Sequence, residues 1–254
     1  MTSLICRTPR SDAPSRLVCF PHAGGSAQFF AGWENELTGA EVHAVQYPGR
    51  AQRIAEPLPT DLRRMAADLA DAVRPLLDRP VVFFGHSMGA VVAYETALLL
   101  QDSGTPPHRL IASGSRAPHR ERPSLPEGEA FTEEAVVAAV MQLGGTDAQL
   151  LSDPLLRELV LPYLCADLEM FDAYRYRPEP ILHCPVTAIT GDMDDHVTAA
   201  EADAWAKATG GRFDRHVFSG GHFYLTDDPP FALLADTLKT AAQGMAAHHI
   251  SRTT

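Results

Sequence analysis

Residues 81–94 read VVFFGHSMGAVVAY, and the way this segment joins two kinds of pattern restricts the fold more than any other part of the chain. Val81–Phe84 has the β-branched and aromatic make-up of a buried strand. Val91, Val92, Tyr94, Ala97 and Leu98 continue as a mostly buried helix. Only Gly85-His86-Ser87-Met88-Gly89 lies between them, so the backbone must turn sharply with small residues on both sides of Ser87. Glycines permit the turn and a close approach of helix to strand, and the middle side chain is left projecting from a strained backbone.

The rest of the sequence repeats the strand-then-helix rhythm. Residues 16–20, 42–46, 81–84, 110–113, 186–190 and 215–218 read as strands bounded by turn residues. Leu62, Met65, Leu69, Val73 and Leu76 recur at helical spacing, with Thr60 or Asp61 at the start. Phe231, Leu234 and Leu238 mark a last helix entered through Asp228-Pro229-Pro230. Strands alternating with helices predict a mostly parallel sheet covered on both faces. At 254 residues the chain suffices for a single α/β domain with a large core. From about 118 to 180 no strand is legible, and the two clearest stretches, FTEEAVVAAVMQL and DPLLRELVLPYLCADLEMFDAY, are helical. A helical insertion late in such a sheet is expected to form a lid over the active-site face. The tail AAHHISRTT is expected to be disordered.

Charge and cysteine usage narrow the function classes. A formal net charge of −11 argues against nucleic acid or an anionic membrane as partner. Cys6, Cys19, Cys165 and Cys184 have no paired or metal-binding spacing and read as reduced, structural thiols. The N-terminal stretch has no apolar core of signal-peptide length, and no run approaches the roughly 20 apolar residues of a membrane span. A cytoplasmic location is the expectation.

Ser87 sits where a nucleophile elbow would place it, but a serine hydroxyl attacks poorly without a base. Of eleven histidines, His222 in FSGGHFYL is the best placed, on a loop at the carboxyl end of the last strand. His43, His183, His196 and His216 have core or surface readings, His248 and His249 lie in the tail, and His22 and His86 lie near the site but beside turns assigned to other work. An acid that orients the imidazole should follow the serine in the order Ser, Asp, His. VTAITGDMDDHV offers Asp192, Asp194 and Asp195, with Asp194 favoured by its place in Gly191-x-x-Asp194-x-x-Val197. Backbone N–H groups of Met88, at a helix N-terminus, and of Ala23, in the glycine-containing loop CFPHAGGSAQFF, are the candidate oxyanion donors. No histidine, cysteine and carboxylate spacing suggests a metal.

Taken in order, FPHAGGSAQFF, VQYPGRAQRIAE, FFGHSMGAVVAYE, LPYLCADLEMFDAYRY, CPVTAITGDMDDHV and FSGGHFYL span residues from about 17 to 225. The set resembles the type II thioesterases of polyketide and nonribosomal peptide assembly lines, within the α/β-hydrolase superfamily. That resemblance implies an α/β-hydrolase fold and a cofactor-free hydrolase that removes stalled or wrong acyl groups from phosphopantetheine. The implied partner is an acyl or peptidyl carrier protein. It also implies Ser87 as nucleophile, His222 as base, Asp194 as its orienter, and Ala23 and Met88 as oxyanion donors. One departure is Cys165, where the family usually has arginine. Because carrier proteins are usually acidic, docking needs a local basic patch. Arg116, Arg120 and Arg122 at the mouth of the insertion are the candidates, with Arg50 and Arg53 beside them. A general carboxylesterase or acyl-CoA hydrolase would use the same residues, and a non-hydrolytic module would need none of them.

Overall fold

A computed structural model describes residues 2–120, 132–143 and 153–252, with the backbone alone at 143 and 245–252. Seven strands form one sheet: β1 (Leu4–Ile5), β2 (Arg16–Phe20), β3 (Glu41–Val45), β4 (Val81–His86), β5 (Arg109–Ser113), β6 (Val186–Gly191) and β7 (Phe213–Phe218). Their order across the sheet is β1-β3-β2-β4-β5-β6-β7. Only β1 runs antiparallel, pairing Leu4 with Val45 at one edge; the other five pairings are parallel. The sequence reading missed β1, because two residues are too few to show an alternating pattern.

Helices cover both faces: α1 (Trp33–Glu36), α2 (Leu62–Val73), α3 (Met88–Asp102), α4 (Glu133–Leu143), α5 (Pro154–Ala173), α6 (Ala199–Asp203) and α7 (Phe231–Arg252). Alternate side chains of the buried strands enter opposite layers. Val18, Phe20, Val81 and Phe83 pack with Leu62, Leu69 and Tyr94 of α2 and α3. Leu17, Cys19, Val82 and Phe84 pack with Phe30, Trp33, Leu234 and Leu238 on the other face. Asp61, the second of the two expected starts, caps α2 by accepting the Arg64 N–H at 2.9 Å. Helix α7 runs on to Arg252, so the tail expected to be disordered is helical over most of its length. All four cysteines are free thiols.

Between β5 and β6 the described chain holds α4 and α5 with a small apolar cluster of their own, formed by Val136, Val140, Val160, Leu161 and Leu164. Helix α5 has two unlike parts and an internal proline, Pro162. In its first turns Leu155 and Leu159 are 79% and 58% exposed; Val160 and Leu161 just before the proline and Leu164, Asp167 and Met170 after it are buried.

Candidate active site

The Ala23 loop, the Ser87 elbow and the Asp194 and His222 loops leave the sheet at the carboxyl ends of β2, β4, β6 and β7, the edge at which open α/β sheets build their sites. At the end of β4 the chain turns through Ser87, one of two non-glycine residues at positive φ among those described (φ 53°, ψ −121°). Its N–H donates to the Ser113 carbonyl at 2.8 Å, which fixes the turn to β5. The flanking glycines are dictated by backbone contacts. A Cβ on Gly85 would lie 2.4 Å from the Gly89 carbonyl oxygen, and one on Gly89 would lie 2.2 Å from that of Phe20. The first turn of α3 therefore rests directly on the end of β2. This seats Met88 beside the loop 21–27 that carries Ala23.

Asp194 and His222 are brought together from the ends of β6 and β7. His222 Nδ1 lies 3.0 Å from Asp194 Oδ2, with both side chains almost wholly buried. Asp194 Oδ1 accepts the N–H groups of His196 (2.9 Å) and Val197 (3.2 Å). Burial works to raise this carboxyl group. The hydrogen bond and charge of His222 and the His196 N–H outweigh it and leave the group below its ordinary value. An ionised carboxylate at Nδ1 requires that nitrogen to carry its proton, so Nε2 is the acceptor. Gly191 allows the two loops to meet, since a Cβ there would be 2.2 Å from the Gly220 carbonyl oxygen. Asp192 joins the loops by accepting the Gly220 N–H at 2.8 Å, and Asp195 is exposed. Neither points at His222, which leaves Asp194 alone of the three carboxylates paired with the imidazole.

A second histidine, near the site by its place in the elbow, has its ring packed inside it. His86, fully buried, packs its ring 5.1 Å from that of His222 and 6.0 Å from that of His22. Its Nδ1 is 3.0 Å from Ser113 Oγ, which is 2.7 Å from Tyr224 OH. Its Nε2 has no hydrogen-bond partner among the described residues. Burial, helped by the neighbouring His222 and His22, holds His86 well below the ordinary histidine value. Gly114, at φ 53°, makes room for this layer, because a Cβ there would stand 2.6 Å from His86 Cε1 and 3.4 Å from His222 Cε1. His196, read as a core or surface histidine, packs its ring 5.8 Å from His222, and burial lowers it too. Sequence position alone gave His86 to a turn and His196 to the core or surface, because stacking across strands has no local signature.

The arginines divide differently from the sequence expectation. Arg50 is not available for docking: it is 1% exposed and makes a bidentate pair with Asp167 of α5, both contacts at 2.6 Å. Burial opposes its charge, but the Asp167 carboxylate more than compensates and raises its value. Arg53 is also turned inward, onto Glu56 and the Gln46 carbonyl. Arg116 pairs with Glu201 at 2.9 Å. Arg120 is exposed, and Arg122 lies outside the described residues. An open groove of about 610 Å³ runs beside the loop 21–27, lined by His22, Gly24, Phe29, Tyr163 and Phe231 among others. Cys165 is half-buried beside the small insertion cluster, and burial pushes its thiol up. Cys6, Glu41 and His43 converge near β1 and β3, yet Glu41 is already bound by Arg16 at 2.7 Å. A cation there would have to displace that guanidinium.

A strained serine at a strand-to-helix turn, followed in chain order by a buried aspartate and histidine on later loops of a parallel sheet, defines a protein of α/β-hydrolase fold. The chain belongs to the thioesterase family, whose domain model matches residues 15–240. A probable cadicidin biosynthesis thioesterase of Streptomyces griseus is 42% identical over 212 residues, 83% of this chain and 58% of that protein. The thioesterase PikA5 of Streptomyces venezuelae is 41% identical over 222 residues, 86% of this chain and 78% of the relative. Among solved structures, the type II thioesterase BorB from the borrelidin biosynthetic cluster superposes with a TM-score of 0.79 at 35% identity, covering 93% of this chain and 96% of BorB. No described helix is long and apolar enough to cross a membrane.

Proposed function

We propose that the chain is a serine-dependent type II thioesterase that removes aberrant or stalled acyl groups from phosphopantetheine on acyl or peptidyl carrier proteins. The observation that carries the chemistry is the buried Asp194–His222 hydrogen bond behind a serine held at positive φ on the elbow. The family, and relatives named for antibiotic biosynthesis, support the substrate class.

In this reading His222 Nε2 takes the Ser87 hydroxyl proton as Oγ attacks the thioester carbonyl carbon. The carbonyl electron pair moves to oxygen, where the N–H groups of Ala23 and Met88 receive it. Such a pair of donors is worth several kcal/mol in a dry site. Collapse of the tetrahedral intermediate breaks the carbon–sulfur bond, and the pantetheine thiol leaves with the proton from His222. Water, deprotonated by the same imidazole, then attacks the acyl-serine. The acid departs and Ser87 regains its proton. Asp194 holds the tautomer and balances the imidazolium that forms in each half-reaction. Helices α4 and α5 act as the lid over this face, and Arg120 and Arg122 belong to the carrier-docking surface, whereas the charge of Arg116 is balanced by its pair with Glu201.

The test is hydrolysis of a short acyl group loaded on a carrier protein, wild type beside Ser87→Ala. Turnover by the wild type and none by the variant is the expected result. Turnover of small esters without the carrier-bound thioester would keep the residues and move the protein to the esterase reading.

A further inference from the structure

The buried Arg50–Asp167 pair is placed where a purely structural salt bridge need not be. Asp167 belongs to α5 and Arg50 to the loop after β3, 117 residues apart, and their side chains are 0% and 2% exposed. Burying two charges costs several kcal/mol per ion unless further hydrogen bonds satisfy them. Arg50 Nε donates to the Pro48 carbonyl at 3.4 Å, and the other two bonds come from the loop beside the elbow. Asp167 Oδ2 accepts the Gly24 N–H at 2.9 Å, and Arg50 Nη1 donates to the Gly25 carbonyl at 3.1 Å. The guanidinium lies 4.6 Å from the ring centre of Tyr163, also on α5, and 5.4 Å from that of Tyr47. Tyr47 OH in turn donates to the Pro21 carbonyl at 3.0 Å. Ala23 is thus bracketed by backbone groups on either side that the pair and its neighbour hold.

We propose that Arg50 and Asp167 are positioning residues that lock the oxyanion loop to the buried half of α5, so that the Ala23 N–H is aimed only while that half of the helix is seated. Residues 153–159, exposed or half-buried, lie outside this tether, which makes the seated part of α5 a fixed wall and its first turns the part that can yield to substrate. The inference rests on Ala23 being an oxyanion donor.

Asp167→Asn retains an amide oxygen for the Gly24 N–H but removes the charge that holds Arg50; Arg50→Lys retains the charge and removes the bidentate geometry. Both are compared with wild type and Ser87→Ala, with active sites counted by a fluorophosphonate. The readouts are kcat and KM for an acyl thioester, binding of a trifluoromethyl ketone thioether that forms a tetrahedral adduct, and binding of a plain thioether that does not. A misaimed donor of this kind costs on the order of 100-fold in rate. We expect kcat per active site and ketone affinity to fall together by about that factor in Asp167→Asn and less in Arg50→Lys, with thioether affinity and KM changed by less than about threefold. If the variants are less heat-stable but keep wild-type kcat per active site, the pair is structural and the inference is overturned. If Asp167→Asn does not fold, Arg50→Lys decides by the same comparison. If Ser87→Ala retains turnover or the ketone fails to bind wild type, the underlying reading of the site has failed instead.

Discussion

Replacing Asp194 by asparagine changes one atom pair and, by the geometry of the site, the tautomer of His222. The oxygen that accepts the N–H groups of His196 and Val197 can be kept by the asparagine Oδ1. That leaves its NH2 group 3.0 Å from His222 Nδ1, a donor facing a nitrogen that donates in the wild type. The imidazole escapes the clash only by moving its proton to Nε2, and in the proposed mechanism it can then no longer accept the Ser87 proton. Loss of the right tautomer together with the balancing charge costs about 10³ to 10⁴ in kcat, or roughly 4 to 5.5 kcal/mol of barrier. The fold should suffer far less, because a hydrogen bond to a charged group contributes only about 1.5–3 kcal/mol and two of the three contacts survive. Thioester hydrolysis with saturating substrate is the assay, with thermal unfolding alongside, and exposed Asp195→Asn, expected to be near wild type, as the control. An Asp194→Asn enzyme within tenfold of wild-type kcat would refute the reasoning, and so would an Asp195→Asn enzyme with the larger loss.

Three further outcomes follow from particular contacts. Gly89→Ala puts a methyl 2.2 Å from the Phe20 carbonyl oxygen; backbone must shift, at about 2–3 kcal/mol or more, and the unfolding midpoint should fall by roughly 5–10 °C with activity lost. His86 is held neutral by burial, its folded value below its unfolded one, so its share of stability is complete above the ordinary histidine range and declines as pH falls through it. Denaturant unfolding should therefore weaken between pH 7.5 and 5.5 by up to about 1.4 kcal/mol per pH unit for each such histidine, and His86→Asn should flatten the slope; an unchanged slope would exclude His86 as its source. Arg120→Glu should raise KM for an acyl-carrier protein and leave KM for a small thioester unchanged, whereas equal effects on both would remove Arg120 from the docking surface.

The chain's sequence by itself determined the local chemistry. Gly-His-Ser-Met-Gly between a strand and a helix is legible because the turn needs small residues at fixed spacing, and the Asp194 and His222 loops are legible because each follows a strand after glycine. The alternation of strand and helix pointed to a mostly parallel sheet, and chain order then suggested the serine, aspartate and histidine of the proposed triad. Tertiary structure alone decided what meets across the fold. It decided that His86 packs on His222, which depends on three strands and on Gly114 being small. It turned Arg50 from an exposed docking residue into the buried partner of Asp167, since a charge's environment is set by whatever packs over it and not by its neighbours in sequence. It also set Asp194, already favoured over Asp192 and Asp195 by its place in the sequence, against the imidazole, a contact made only where the β6 and β7 loops meet.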